Sequence, residues 1–264
     1  MVVRMDDGEL LSVLNEAADA VTRTLASLDA WGLAGTRAGQ YHSDLAADAA
    51  AVAVLRGAGL AVLSEESGVS GEESPGAGGR DGLTVVLDPV DGSTNASRGI
   101  PWYATSLCAV DGDGARAAVV LNQASGVRYQ ALRGGGATRD GQALSTSGTT
   151  RLGEAIIAFS GYPARYLGWS QYRGLGAAAL DLCAVADGTL DGYAVVGGSA
   201  LGAWDYLGGM LVCTEAGGAV GDAAGRDLVV LSHGERRTPV AGATEALHHA
   251  LVEAVRDSVG GSGA

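Results

Sequence analysis

The stretch that most constrains the fold is "LTVVLDPVDGSTN", residues 83–95. Its apolar head reads as a buried strand, and that strand ends in two acids, Asp88 and Asp91, with Pro89 stiffening the turn between them. A carboxylate at the mouth of a core strand loses hydration, and a second one beside it adds repulsion. The pair is therefore costly unless something positive sits between them. Any fold for this chain has to bring that strand end to a place where the charge is used.

A hard divalent cation is the usual remedy. Mg²⁺ takes oxygen ligands in near-octahedral geometry and keeps several waters, so a few carboxylates on loops suffice when a phosphate supplies further oxygens. Gly92 allows close backbone approach, and Ser93 or Thr94 can cap a helix whose exposed N–H groups suit a phosphate. The same letters also describe a simple Asx-type turn and helix cap. Two other stretches tip the balance. "LSEESG" again runs an apolar strand into acids, Glu65 and Glu66, and "AWDYLGGMLVCTEAGG" sets Asp205 near the start of an otherwise apolar helix. Acids from three chain-separated stretches suggest one shared ion.

Composition bounds the rest. The 264 residues, 47% apolar and 18% charged, suit one compact catalytic unit, divided here into halves 1–150 and 151–264. No apolar run is long enough to read as membrane-spanning, and the acids in "MVVRMDDGEL" interrupt what a secretory signal would continue, so a cytoplasmic protein is expected. Cys108, Cys183 and Cys213 lie singly in apolar contexts and read as reduced core residues. The net charge of −13 argues against a nucleic-acid partner, and an anionic substrate needs a local cation.

Along the chain, residues 9–31 carry apolar residues at helical spacing, and "DLAADAAAVAVLRG" predicts a second helix. Residues 67–82, rich in Gly, Ser, Glu and Pro, read as an exposed loop. From 106 to 147 short alternating runs separated by turn signals predict an antiparallel sheet. The second half predicts strands at "EAIIAFSG" and "DGYAVV", and helices at "GLGAAALDLCAVADG" and "AWDYLGGMLVCTEAGG". His42, His233, His248 and His249 show no metal spacing, and the last two read as solvated.

With "LDPVDGSTNASRGIPWYATSLCAV" and "AWDYLGGMLVCTEAGG" on the page, and with "SEESG", "GGGATRDGQALSTS" and "YRGLGAAALDL" in matching order, the chain resembles the inositol monophosphatase family of Mg²⁺-dependent phosphatases. The resemblance implies a layered αβαβα sandwich of α+β (α/β) class and, by family analogy, a homodimer. It implies that Glu65, Asp88, the carbonyl of Val90, Asp91 and Asp205 hold two or three Mg²⁺ ions around a substrate phosphate. Ser93, where the family usually has threonine, would orient the attacking water together with Glu65. Asp91, Gly92, Ser93, Ala178 and Asp205 would line the substrate, and Asp48 in "DLAAD" resembles the acid that reaches an outer metal water. The glutamate that binds polyol hydroxyls in family members acting on inositol phosphates is replaced here by Val195 or a nearby glycine.

The implied activity is hydrolysis of a small phosphorylated polyol or metabolite, foremost an ester like inositol 1-phosphate. Histidinol phosphate, fructose 1,6-bisphosphate and 3′(2′),5′-bisphosphate nucleotides are the alternatives. A phosphate- or metal-binding regulatory protein without turnover is the reading of another class.

Overall fold

Helix α1 (Asp7–Ala26) starts where the Asp6 side chain accepts the Glu9 N–H at 2.7 Å, satisfying one of the donors a helix start leaves open. Leu10, Leu14, Ala17, Val21 and Leu25 form its buried stripe. Burying each leucine contributes about 2 kcal/mol. The helix stops at Ser27, short of residue 31, because the backbone there leaves helical geometry (ψ 5°). Helix α2 (His42–Gly57) begins at Tyr41, whose N–H donates to the Asp44 carboxylate at 3.1 Å. The computed structural model describes residues 5–35, 40–70 and 79–260.

The first sheet holds β1 (Ala61–Ser64), β2 (Gly68–Ser70), β3 (Thr84–Asp91), β4 (Ala104–Asp111), β5 (Gly114–Asn122), β6 (Arg128–Leu132), β7 (Gly136–Arg139) and β8 (Gln142–Ala143), with the short helix α3 (Ser93–Arg98) between β3 and β4. Its spatial order is β2-β1-β3-β4-β5-β6-β7-β8. β1 and β3 pair in parallel and the other neighbours antiparallel. Part of the loop expected over 67–82 is thus strand: Gly68–Ser70 folds back on β1 in a hairpin. Residues 71–78 of that expected loop lie outside the described residues.

The second sheet holds β9 (Ile156–Ser160), β10 (Gln171–Arg173), β11 (Gly192–Val195), β12 (Ala219–Asp222) and β13 (Pro239–Gly242), in the order β10-β9-β11-β13-β12. Helices α4 (Ala178–Ala186) and α5 (Ala203–Glu215) lie between the sheets, and α6 (Glu245–Gly260) closes the far face. The layers run α1/α2, first sheet, α4/α5, second sheet, α6. This is the αβαβα sandwich.

The layering explains the near-continuous apolar character of the central elements. α4 is buried along its whole length because it is covered on both sides, as a helix that is apolar all round has to be. The three cysteines are free and buried. His248 corrects the sequence reading: its ring packs against Gly221, its backbone lies against Gly242, and both of its ring nitrogens are buried without a hydrogen-bond partner. His249 is exposed.

Candidate metal centre

The acids of "LDPVDG" sit at the end of β3, buried on both sides. Three residues apart on a regular strand, they would point to opposite faces. β3 does not stay regular: Asp88 pairs with Ser106 and Asp91 with Ala104, so three steps on β3 oppose two on β4. That one-residue bulge re-aims Asp91 toward the face of Asp88. It is held by the Thr105 hydroxyl, which donates to the Pro89 carbonyl at 2.8 Å, and by the Val90 N–H, which donates to Asp88 Oδ1 at 3.0 Å.

Asp205 arrives from the first turn of α5, where its Oδ2 accepts the Gly202 N–H at 2.7 Å. A carboxylate oxygen from each of Asp88, Asp91 and Asp205 lies within 4.8 Å of the others. Glu65 follows β1 and is pinned to β3 by its N–H, which donates to the Leu87 carbonyl at 3.1 Å. The parallel pairing of β1 with β3 therefore delivers Glu65 to the same strand ends. Its charge is, after burial, the largest influence raising Asp88.

These groups resist ionisation. Burial holds the Asp88 and Asp91 carboxyls well above the ordinary range, and their negative neighbours push the same way. Asp205 is pushed up to about 6 by burial, against the opposing Gly202 N–H and the Arg236 charge. One feature favours the anion at Asp91: the first turn of α4 donates the Ala178 and Ala179 N–H groups to it at 3.2 and 2.7 Å, the stabilisation a helix N-terminus gives a carboxylate. Buried oxygens that repel one another and have few donors are the donor set a hard cation relieves. The residues present fit such an ion.

Gly92 joins the acids to α3 at φ +87°, and a Cβ there would meet the Trp102 and Gly176 carbonyls at 3.0 and 3.1 Å. Only glycine fits. The Ser93 hydroxyl donates to the Val90 carbonyl at 2.9 Å and sits near enough to Asp44 to favour the anion of a carboxyl that burial pushes up to about 6.

The acid of α2 that faces Ser93 is therefore Asp44. Asp48, the expected outer ligand, takes its hydrogen bond from the buried Ser64 hydroxyl instead. Ala178 was expected to line the substrate. It is 5% exposed, its methyl belongs to the core and its amide is committed to Asp91.

Sequence reasoning also passed over the connection between β12 and β13. His233 Nε2 lies 3.2 Å from the Glu65 carbonyl, its ring packs 4.7 Å from that of Trp204, and the Arg236 guanidinium sits 5.0 Å over Trp204. No metal spacing marked His233, and it enters the site by stacking. The adjacent pair "RR" in a chain of net charge −13 was the available signal for Arg236.

Comparison with known proteins agrees with this geometry. The profile of the inositol monophosphatase family matches residues 39–259. A protein of Archaeoglobus fulgidus named "Fructose-1,6-bisphosphatase/inositol-1-monophosphatase" is 32% identical over 96% of this chain and 100% of its own length. "Nus factor SuhB" of Pseudomonas aeruginosa is 33% identical over 81% of this chain and 84% of its own. Among solved structures, the extragenic suppressor protein suhB of Bartonella henselae superposes with a TM-score of 0.76 at 28% identity, covering 94% of this chain and 98% of that one. With the sandwich, the bulged strand end and the profile match in agreement, the chain belongs to the inositol monophosphatase family.

Proposed function

We propose that the protein is a Mg²⁺-dependent phosphomonoesterase that hydrolyses a small phosphorylated polyol or metabolite by direct attack of water on phosphorus. The observation that carries this reading is the convergence of Asp88, Asp91 and Asp205 to within 4.8 Å in a mouth that discourages their ionisation. Glu65, Asp88, the Val90 carbonyl, Asp91 and Asp205 hold the ions, two or three in number. Ser93 already uses the Val90 carbonyl, but a carbonyl oxygen has a second lone pair to offer. Bound there, Mg²⁺ supplies charge neutralisation at the phosphate and acidifies water.

The chain's own groups do the positioning. Ser93 and Glu65 orient the attacking water. The Ser93 hydroxyl has one proton to share between Val90 and Asp44, and when Asp44 takes it, the oxygen is free to accept from the water. The Gly92 and Ser93 amides, at a turn that no side chain can fill, receive phosphate oxygens. The two amides that α4 donates to Asp91 favour its anion, against the burial and the Asp205 charge that raise it, so this carboxyl is readied to give up its proton to a cation.

The test is phosphate release from inositol 1-phosphate, histidinol phosphate, fructose 1,6-bisphosphate and adenosine 3′,5′-bisphosphate, with Mg²⁺ and with chelator. Release from one of them that chelator abolishes and Mg²⁺ restores is expected. Asp91→Asn is expected to lower kcat by more than about a hundredfold, since supporting residues around metal ligands alone cost 10–100-fold. A relative named "Nus factor SuhB" lends some support to a second reading, a metal- or phosphate-binding protein without turnover. On that reading Asp91→Asn changes binding alone, and no substrate is consumed.

A further inference from the structure

We propose that Arg236 is a specificity-determining residue that binds a second anionic group on the substrate. The ester consumed then carries, beyond the scissile phosphate, another phosphate or a carboxylate. This rests on the phosphatase reading and narrows it.

Two arginines adjoin in the connection between β12 and β13, and they are treated differently. Arg237 is 9% exposed and ion-paired: Nε donates to the Asp227 carbonyl at 2.7 Å, and Nη1 donates to Glu235 Oε2 at 2.7 Å and to the Arg236 carbonyl at 3.0 Å. It holds the connection together. Arg236 is exposed, and its Nη1 donates to the His233 and Glu235 carbonyls, each at 2.8 Å. These two carbonyls fix the guanidinium over the Trp204 ring, and it forms no ion pair among the described residues. A planar fork held on an aromatic face, with donors to spare, is preorganised for a carboxylate or phosphate.

Its place gives the fork a purpose. Trp204 is 4% exposed and immediately precedes Asp205. His233, on the same ring, touches the Glu65 carbonyl. The 233–236 segment thus bridges the two ends of the acidic mouth, and Arg236 sets a cation beside it in a chain of net charge −13. The metal site neutralises one phosphate; Arg236 remains for a second anion.

The end of β11, where the resemblance would put a polyol-binding glutamate, points the same way. Val195 is 1% and Val196 4% exposed, and Gly197 follows, so no side-chain acceptor stands there to bind polyol hydroxyls. Recognition of a neutral polyol has little to hold.

The experiment uses two substrate pairs, each differing only in the second anion: fructose 1,6-bisphosphate against fructose 1-phosphate, and 2-phosphoglycerate against glycerol 2-phosphate. The ratio of kcat/KM within each pair is measured for the wild type, Arg236→Ala and Arg236→Lys, with thermal unfolding to confirm that the variants fold. Expected is a preference for the doubly anionic member of one pair. Arg236→Ala should reduce that preference about tenfold, chiefly through KM, corresponding to about 1.4 kcal/mol, and Arg236→Lys should fall between. The pair that shows the preference identifies the second group as phosphate or carboxylate.

If esters are hydrolysed and Arg236→Ala leaves both ratios within twofold, the proposal is overturned while the phosphatase reading stands. If no ester is hydrolysed, the phosphatase reading falls, and calorimetric titration of fructose 1,6-bisphosphate with Mg²⁺ present decides about Arg236. Binding that weakens about tenfold in Arg236→Ala supports it, and equal binding or none overturns it.

Discussion

At the scale of single residues, the acid that most needs an explanation is Asp181. It is fully buried on α4, accepts the Trp102 Nε1–H at 2.8 Å through Oδ1, and leaves Oδ2 without a hydrogen-bond partner. Burial pushes its pKa up to about 7, against the Trp102 bond. A folded-state pKa raised above the unfolded value means that the folded state holds the proton more tightly. The penalty is absent below about pH 4, grows as pH rises toward 7 and is complete above it. Asp181→Asn keeps an acceptor for Trp102 and removes the ionisation. The variant is expected to gain on the order of 2–4 kcal/mol over the wild type at pH 8, a gain that shrinks toward zero near pH 4. Urea unfolding at both pH values checks it, and a pH-independent difference would sink the assignment. Residues of this kind are where the sequence is least legible. Asp44 and Asp48 lie one helical turn apart and carry the same side chain, so the letters do not separate them and the resemblance pointed to Asp48; in the fold Asp44 lies near Ser93 and Asp48 accepts from Ser64.

At the scale of elements, α5 shows sterics overriding propensity. Ala is a better helix former than Gly by about 1 kcal/mol, yet Gly208 and Gly209 sit in mid-helix. A Cβ at Gly209 would come 2.7 Å from the Ala179 carbonyl oxygen, which is backbone and cannot step aside, and 2.7 Å from Leu182 Cβ. At Gly208 it would come 2.6 Å from Ser106 Oγ. The glycines let α5 press against α4 on one side and β4 on the other, which sets the height at which Asp205 meets the β3 acids. Gly209→Ala is expected to destabilise by about 1–3 kcal/mol, as overpacking does, and to lower activity beyond what the lost folded fraction explains. Unfolding midpoints read beside initial rates at a temperature where the variant is folded separate the two effects. The small residues in "AWDYLGGMLVCTEAGG" made the helix and its close packing legible. The β3 bulge was not, because "DPVDG" gives the spacing of two acids and not the pairing register that turns them to one side.

At the scale of the whole molecule, the five layers force the acids into company. β1 and β3 end side by side in the first sheet, α4 and α5 fill the space between the sheets, and each element delivers its charge where the buried layers open. The order of strand and helix types was readable from periodicity. That α4 is covered on all sides was legible in its being apolar all round; that it shares the layer between the sheets with α5 was not, because periodicity does not say which sheets flank a helix. The consequence is a fold that stores repulsion at its functional end. Asp88, Asp91 and Asp205 all have raised pKa values, so without metal the folded state binds more protons than the unfolded one, and this contribution to stability falls as pH rises through about 6. An ion at the site competes with those protons. Mg²⁺ at a hundred times its Kd is expected to add about 2.7 kcal/mol per site, or roughly 5 °C in Tm for a chain of this size. The gain should be largest at pH 8 and much smaller at pH 5, where protons already occupy the acids. Scanning fluorimetry across Mg²⁺ concentrations at both pH values measures it in the wild type and in Asp91→Asn. The variant should lose most of the metal-dependent gain and some of the fall in metal-free stability between pH 5 and 8. Equal Mg²⁺ increments at the two pH values would mean that the ion binds away from these acids, and the repulsion at the strand ends would need another remedy.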